Sequence, residues 1–318
     1  MNNRQNLTVC GGGVLGGQIA WHSAYSGKNV VVYDVSDKGL DACRSAHSSY
    51  AQIYQDDVGA TADGVEAAQA RVSYTTDLSG AVADAQVVIE AIPEVPEIKV
   101  DFYGKLSPLL PAETIVATNS STLLPSMFAE ATGRPDKFCA LHFANMIWSV
   151  NVAEVMAHPG TSAETLEGIT RFAIEIGMVP IPLRKEQSGY VVNSLLIPML
   201  HAAQTLVTNG VSDPETVDRT YMIMNRGVQS GPFGAIDFIG MGTMYNIFEY
   251  WGNENADSQM LANAAYLKEH FVDKGHLGLQ TGQGYYSYPD AAYMAAGFLD
   301  VPDVSKASEI AQMAVPKE

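Results

Sequence analysis

Residues 7–34 read LTVCGGGVLGGQIAWHSAYSGKNVVVYD, and this stretch decides the fold class. Leu7 to Cys10 is a short apolar strand. Gly11-Gly12-Gly13-Val14-Leu15-Gly16 fits the pattern G-x-G-x-x-G, and a helical pattern through Ile19, Ala20 and Ala24 follows, with Gly27 as its stop. The first glycine permits a tight turn. The second lets a pyrophosphate approach the backbone, and the third lets helix and strand pack closely. Val14 and Leu15 open the helix, where free N–H groups and the macrodipole favour an anion. Asn29 to Asp34 is an almost continuous β-branched run, the pattern of a strand buried on both faces. A carboxylate at its end, Asp34, accepts hydrogen bonds from the adenosine ribose hydroxyls and repels a 2′-phosphate. The stretch therefore predicts a site for NAD rather than NADP.

Working outward, residues 37–70 read as helical, with Leu40, Cys43, His47, Tyr50 and Tyr54 recurring at three- and four-residue spacing. Residues 71–74, 86–91, 114–118 and 138–143 read as further strands, and 97–107 as a helix. Alternation of this kind predicts an α/β fold with a doubly wound parallel sheet. After about residue 185 the character changes. Residues 191–209, 213–224 and 233–251 are helical stretches punctuated by Gly210, Gly227 and Gly231, and the second part reads as mostly α-helical. We place a domain boundary near Lys185, giving a nucleotide-binding domain at 1–185 and a helical domain at 186–318. The last fifteen residues read as loosely held.

Composition narrows the function. The 318 residues carry 18 Lys+Arg against 35 Asp+Glu, a formal net charge of −17. Such a chain repels nucleic-acid phosphates and anionic membrane surfaces, so neither is an expected partner. Cys10, Cys43 and Cys139 have no framework spacing, which points to reduced thiols in a cytosol. The N-terminal stretch lacks the long apolar run of a signal peptide, and Val191 to Leu200 is too short to span a bilayer. The reading is a cytoplasmic protein without an anchor. No H-E-x-x-H or paired-cysteine spacing predicts a metal, and there is no serine nucleophile elbow.

Of seven histidines, His142 stands out because it closes the strand 138–143, where ligands gather in doubly wound sheets. An ordinary imidazole titrates near ~6.5, within reach of both proton uptake and release at neutral pH. His22, His47, His158, His201, His270 and His276 read as packing or surface residues. Several longer motifs complete the picture: VCGGGVLGGQIA (9–20), VVIEAIPEVPEIKVDFYGKL (87–106), VATNSST (116–122), LHFANMIWSVNVAEVM (141–156), SGYVVNSLLIPML (188–200), GPFGAIDFIG (231–240) and LQTGQGYYSY (279–288). In letters, order and spacing the chain resembles the L-3-hydroxyacyl-CoA dehydrogenases, the 3-hydroxybutyryl-CoA dehydrogenases included.

The resemblance implies a Rossmann-like first domain, a mostly helical second domain that also forms a homodimer contact, and NAD-dependent oxidation of a short 3-hydroxyacyl-CoA in fatty-acid metabolism. His142 would be the general acid/base and Glu154 its partner, fixing the tautomer. Ser121 and Asn193 would hydrogen-bond the reacting oxygen, and Asn145 would position the substrate. Gly11, Gly13, Val14, Leu15, Gly16 and Asp34 would hold NAD, joined by Glu94, Lys99 and, near the nicotinamide ribose, Asn119.

Departures from the family bear on the substrate. Members of the fatty-acid type commonly carry lysines in the helix–turn–helix after the second strand, a pair of helices on which the nucleotide end of CoA rests. Here residues 36–71 hold Asp37, Asp41, Asp56, Asp57, Asp63 and Glu66 against Lys38, Arg44 and Arg71. The family's Asn-Pro after the histidine strand is Asn145-Met146, followed by Ile147 and by Trp148, a bulky side chain beside the expected pocket. The usual Arg is Ser194, and a Lys often found near the C-terminus is Gln280. An acidic surface repels CoA phosphates, so two readings stay open: a CoA ester, or a CoA-free 3-hydroxy compound. A third is a non-catalytic, crystallin-like NAD-binding protein.

Overall fold

The computed structural model describes residues 4–226 and 230–298. The expected punctuation at Gly227 and the loosely held last fifteen residues lie outside them. The described residues form two compact units that divide between Ser194 and Leu195.

The first unit is built on one eight-stranded sheet in the order β3-β2-β1-β4-β5-β6-β7-β8. Its strands are β1 (Asn6–Cys10), β2 (Asn29–Tyr33), β3 (Val72–Thr75), β4 (Val87–Glu90), β5 (Ile115–Thr118), β6 (Phe138–Phe143), β7 (Val152–Met156) and β8 (Val179–Leu183). Helices α1 (Val14–Tyr25), α2 (Asp37–Asp57), α3 (Ala62–Ala70), α4 (Leu78–Val82), α5 (Pro96–Leu106) and α6 (Ala163–Glu175) connect them. Both faces of the sheet are buried. Leu7, Val9, Val87 and Ile89 face one core with α1, while Cys10, Val88 and Val116 face the other with Phe102 and Tyr103 of α5. Continuous apolar runs such as VVVY follow directly from this double burial.

The helical stretch over 37–70 is the expected pair: the chain breaks after Asp57 and Thr61 supplies a fresh N-cap, its hydroxyl accepting from the Gly64 amide at 3.1 Å. The expected parallel sheet is corrected: strands β1 to β6 are parallel, but β7 pairs antiparallel with β6, and β8 runs parallel to β7. Residues 144–151 between β6 and β7 are too few for the crossover a parallel partner needs. Strand β8 reads Val-Pro-Ile-Pro-Leu; its prolines mask the strand signal and are tolerated because β8 is an edge.

The second unit is helical: the remainder of α7 (Val192–Thr208), then α8 (Pro214–Met224), α9 (Pro232–Ile239), α10 (Met241–Glu254) and α11 (Ser258–His270). The expected helix over 233–251 is interrupted at Gly240, which ends α9 and precedes α10. Phe233, Ile236, Met244, Phe248 and Leu267 form its core. Among the described residues no helix is long and apolar enough to cross a membrane.

Candidate active site

The glycine loop joins β1 to α1 where the strand order reverses between β1 and β4, the position at which doubly wound sheets bind ligands. Gly11 has φ +108°, and a Cβ there would collide with the Ala91 carbonyl oxygen. A Cβ on Gly16 would run into the Gly11 carbonyl. Beside Gly13 nothing lies within 4 Å of where a Cβ would stand. Helix α1 starts at Val14 with no side-chain cap, so its first amides face this open space, together with Leu15 in the first turn. Asp34 stands just past β2. Its Oδ2 accepts from the Gly12 amide at 3.0 Å and its Oδ1 from the Ser36 amide at 3.1 Å, which fixes the carboxylate beside the loop.

His142 and Glu154 face each other directly across the antiparallel β6–β7 pair. The Nδ1–H of His142 donates to Glu154 Oε2 at 2.7 Å, and the Ser121 hydroxyl donates to Nε2 at 3.2 Å. The partners assign the tautomer, since a carboxylate only accepts. Glu154 is fully buried, and its other oxygen accepts from the Val191 and Val192 amides at 2.7 and 2.9 Å. Asn193 Nδ2 donates to the Ser121 carbonyl at 3.2 Å, so Ser121, His142, Glu154 and Asn193 form one cluster in the first unit.

Glu94 organises the loop that carries Ser121. Its Oε1 accepts from the Ser120 hydroxyl at 2.5 Å and from the Ser121 and Thr122 amides at 3.0 and 3.1 Å. Burial pushes its carboxyl up, but the Lys99 ammonium and these hydrogen bonds outweigh that and hold it below the usual range. Lys99 is itself buried, paired with Glu90 at 2.6 Å and Glu94 at 3.2 Å. Asn119 ties two strand ends together, its Oδ1 accepting from the Phe143 amide at 2.9 Å.

Asn145 Oδ1 is buried with no hydrogen-bond partner among the described residues, an acceptor open to a ligand donor. With the open space beside Gly13 and the uncapped α1 amides, the first unit fits a dinucleotide. The other histidines of this unit are engaged. His22 bonds the Tyr54 hydroxyl and the Ile176 carbonyl; His47 bonds the Tyr74 hydroxyl and the Gly17 carbonyl, and burial lowers it to about 4. His158 holds the Pro135 carbonyl. Among the described residues no His/Cys/Asp/Glu group is arranged to hold a metal.

Several positioning residues escape the sequence reading. Glu90 is fully buried and accepts from Lys99, Tyr103, Thr118 and the Ile92 amide. Gln18 on α1 accepts from the Met146 amide at 2.8 Å, pinning the loop that carries Asn145. Both look like ordinary polar residues in a line of sequence. Trp148 is half-buried, its ring packing on Tyr50 and Tyr54 of α2 with centroids at 5.6 and 6.1 Å.

The fold and site define an NAD-binding oxidoreductase. Residues 6–187 match the family described as 3-hydroxyacyl-CoA dehydrogenase, NAD binding domain, and residues 189–288 match its C-terminal domain. A probable 3-hydroxybutyryl-CoA dehydrogenase of Deinococcus radiodurans is 34% identical over 283 residues, covering 88% of this chain and 99% of that protein. The mitochondrial hydroxyacyl-coenzyme A dehydrogenase of Sus scrofa is 30% identical, covering 89% and 91%. Among solved structures, a diketoreductase described as acting on dicarbonyl compounds is 47% identical with a TM-score of 0.80, covering 91% of this chain and all of that one. The (S)-3-hydroxybutyryl-CoA dehydrogenase of Ralstonia eutropha is 28% identical with a TM-score of 0.75, covering 91% and 100%. The chain belongs to the 3-hydroxyacyl-CoA dehydrogenase family and is an NAD-dependent oxidoreductase acting on a CH–OH group.

Proposed function

We propose that this enzyme interconverts a short-chain L-3-hydroxyacyl-CoA and the 3-ketoacyl-CoA, with His142 as general acid/base. The observation that carries it is the Ser121–His142–Glu154 chain of hydrogen bonds. NAD, when bound, supplies the hydride acceptor. His142 Nε2 takes the hydroxyl proton in oxidation and returns it in reduction. Glu154 stabilises the imidazolium that forms, in the way a buried carboxylate supports a catalytic histidine elsewhere. Ser121 and Asn193 hydrogen-bond the reacting oxygen, and Asn145 orients the substrate. Gly11, Gly13, Val14, Leu15, Gly16 and Asp34 hold NAD, joined by Glu94 and Lys99, with Asn119 near the nicotinamide ribose. Residues 1–185 bind the cofactor, and residues 186–318 contact substrate and make the homodimer.

A second reading keeps the chemistry and drops CoA. Asp37, Asp41, Asp56, Asp57, Asp63 and Glu66 are all exposed on α2 and α3. Of the basic residues there, Arg44 pairs with Asp41 at 2.6 Å and lies over the Tyr74 ring. Similarity to a diketoreductase points the same way. NADH oxidation measured with acetoacetyl-CoA and with a CoA-free β-dicarbonyl compound separates the readings. If CoA is the natural handle, kcat/KM is higher with the thioester. If it is repelled, the thioester's KM falls as added salt screens the acidic helices, while the uncharged substrate's does not change. Turnover of neither, with tight NADH binding, supports a non-catalytic protein.

A cytoplasmic location also belongs to the proposal. The three cysteines are free and buried, which suits a reducing compartment. Sedimentation of the purified protein tests the homodimer.

A further inference from the structure

Tyr190 lies between β8 and α7, in the segment that supplies the Glu154 amides. It is 1% exposed, and three observations set it apart. Its backbone is left-handed, with φ +53°, a conformation that is costly for a bulky residue and persists only where the surroundings impose it. Its ring lies against the His142 imidazole, with centroids 4.8 Å apart and planes inclined by 33°. Its hydroxyl is buried with no hydrogen-bond partner among the described residues.

The left-handed turn has a direct consequence. It aims the next two amides, those of Val191 and Val192, at Glu154 Oε1, while the other carboxylate oxygen receives the His142 Nδ1–H. The Ser194 hydroxyl donates back to the Tyr190 carbonyl, and the Asn193 amide to the Gly189 carbonyl at 3.0 Å, closing the turn. One residue thus reaches His142 twice: its ring covers a face of the imidazole, and its backbone holds the carboxylate on the imidazole edge. Because the hydroxyl bonds to nothing among the described residues, the ring and the turn are the parts that act.

We propose that Tyr190 is a positioning residue for His142, its ring fixing the imidazole plane and its left-handed turn fixing the Glu154 carboxylate that sets the tautomer. The inference rests on reading His142 as the acid/base. An electron-rich ring face also suits an imidazole that becomes a cation during oxidation.

Three variants separate the parts. Tyr190→Phe keeps ring and turn; Tyr190→Asn keeps a residue at ease in the left-handed region but loses the ring; Tyr190→Leu loses the ring and disfavours the turn. Each is first checked by circular dichroism and NADH binding. With whichever β-dicarbonyl substrate the wild type reduces, Phe is expected to keep kcat within about twofold. Asn and Leu are expected to lose roughly ten- to a hundredfold in kcat, the scale of a displaced catalytic group. Substrate KM and NADH Kd are expected to stay near wild type. Nitrogen-15 NMR of the imidazole provides a readout independent of turnover: wild type and Phe show the Nδ1–H tautomer of His142, and Asn and Leu show a mixture. Folded Asn and Leu variants with wild-type kcat and tautomer overturn the proposal, as does a Phe variant that falls as far as Leu. His142→Ala run alongside keeps the two ideas apart: undiminished turnover there rejects the acid/base reading, while the NMR arm still judges Tyr190.

Discussion

In the His142–Glu154 pair, one buried carboxylate has all its close partners assigned. Glu154 accepts two backbone amides and one imidazole N–H, so the imidazole presents its other nitrogen to Ser121 in a single tautomer. His142→Ala is therefore expected to lower turnover by roughly 10²–10⁴, the usual value of a general acid/base, with NADH affinity little changed. Glu154→Gln is expected to lower kcat in the same direction while the fold survives, because an amide has one acceptor oxygen for two sites: with that oxygen on Nδ1–H its N–H₂ faces the Val191 and Val192 amides, and turned about it faces Nδ1–H instead. Steady-state kinetics beside fluorescence titration with NADH checks both, and wild-type turnover in either removes that residue from the mechanism. Asp34→Ala is expected to weaken NAD and narrow its preference over NADP; unchanged selectivity in competitive titrations would count against the ribose-binding role.

At the scale of elements, the loop of residues 144–151 joins β6, which carries His142, to β7, which carries Glu154. It reverses the chain so that β7 returns antiparallel, and it is pinned at two points. Gln18 of α1 accepts the Met146 amide, and Trp148 packs on the tyrosines of α2. Met146 has φ +59°, and it stands where the family usually has proline, which has no N–H to donate and cannot take a positive φ. Gln18→Met removes the acceptor at nearly constant volume. It is expected to raise substrate KM several-fold by releasing Asn145, and Gln18→Glu, which keeps an acceptor oxygen, is expected to restore it. Equal KM values across the three proteins would show that the loop holds without the latch. The sequence made β6 legible through Phe138–Phe143, an apolar run ending in histidine. It hid β7, because Glu154 interrupts the apolar pattern of a strand that is buried.

On the scale of the whole molecule, the −17 charge is spread over exposed carboxylates, but two aspartates of the helical unit are buried instead. Asp237 accepts from the Tyr285 and Tyr286 amides, both at 2.8 Å, and from the Tyr288 hydroxyl at 3.1 Å. Burial outweighs these bonds and, with Asp218 nearby, pushes its carboxyl up to about 6. The folded protein thus holds this proton more tightly than the unfolded chain, whose Asp titrates near ~3.9. The stability it contributes is fully present below about pH 4 and is lost as pH rises through about 6. Melting temperatures of wild type and Asp237→Asn across pH 4–7 check this: the wild type should lose ground to the variant as pH rises. A difference that stays constant with pH would show that another group carries the titration.

The sequence by itself determined the dinucleotide fold, the NAD preference expected from Asp34 and the identity of His142 as the histidine to watch. These are local properties: glycines in a tight turn, β-branched runs buried on two faces, and a polar residue at a strand end. The family resemblance also paired Glu154 with His142, but the tertiary structure supplied the reason: antiparallel pairing of β6 with β7 brings residues twelve positions apart into register. Tertiary structure alone decided that Lys99 is buried between two carboxylates, that Trp148 packs on α2, and that Tyr190 covers the imidazole. Each depends on where distant segments meet and which charges lose their water, and the order of residues along the chain does not by itself state either.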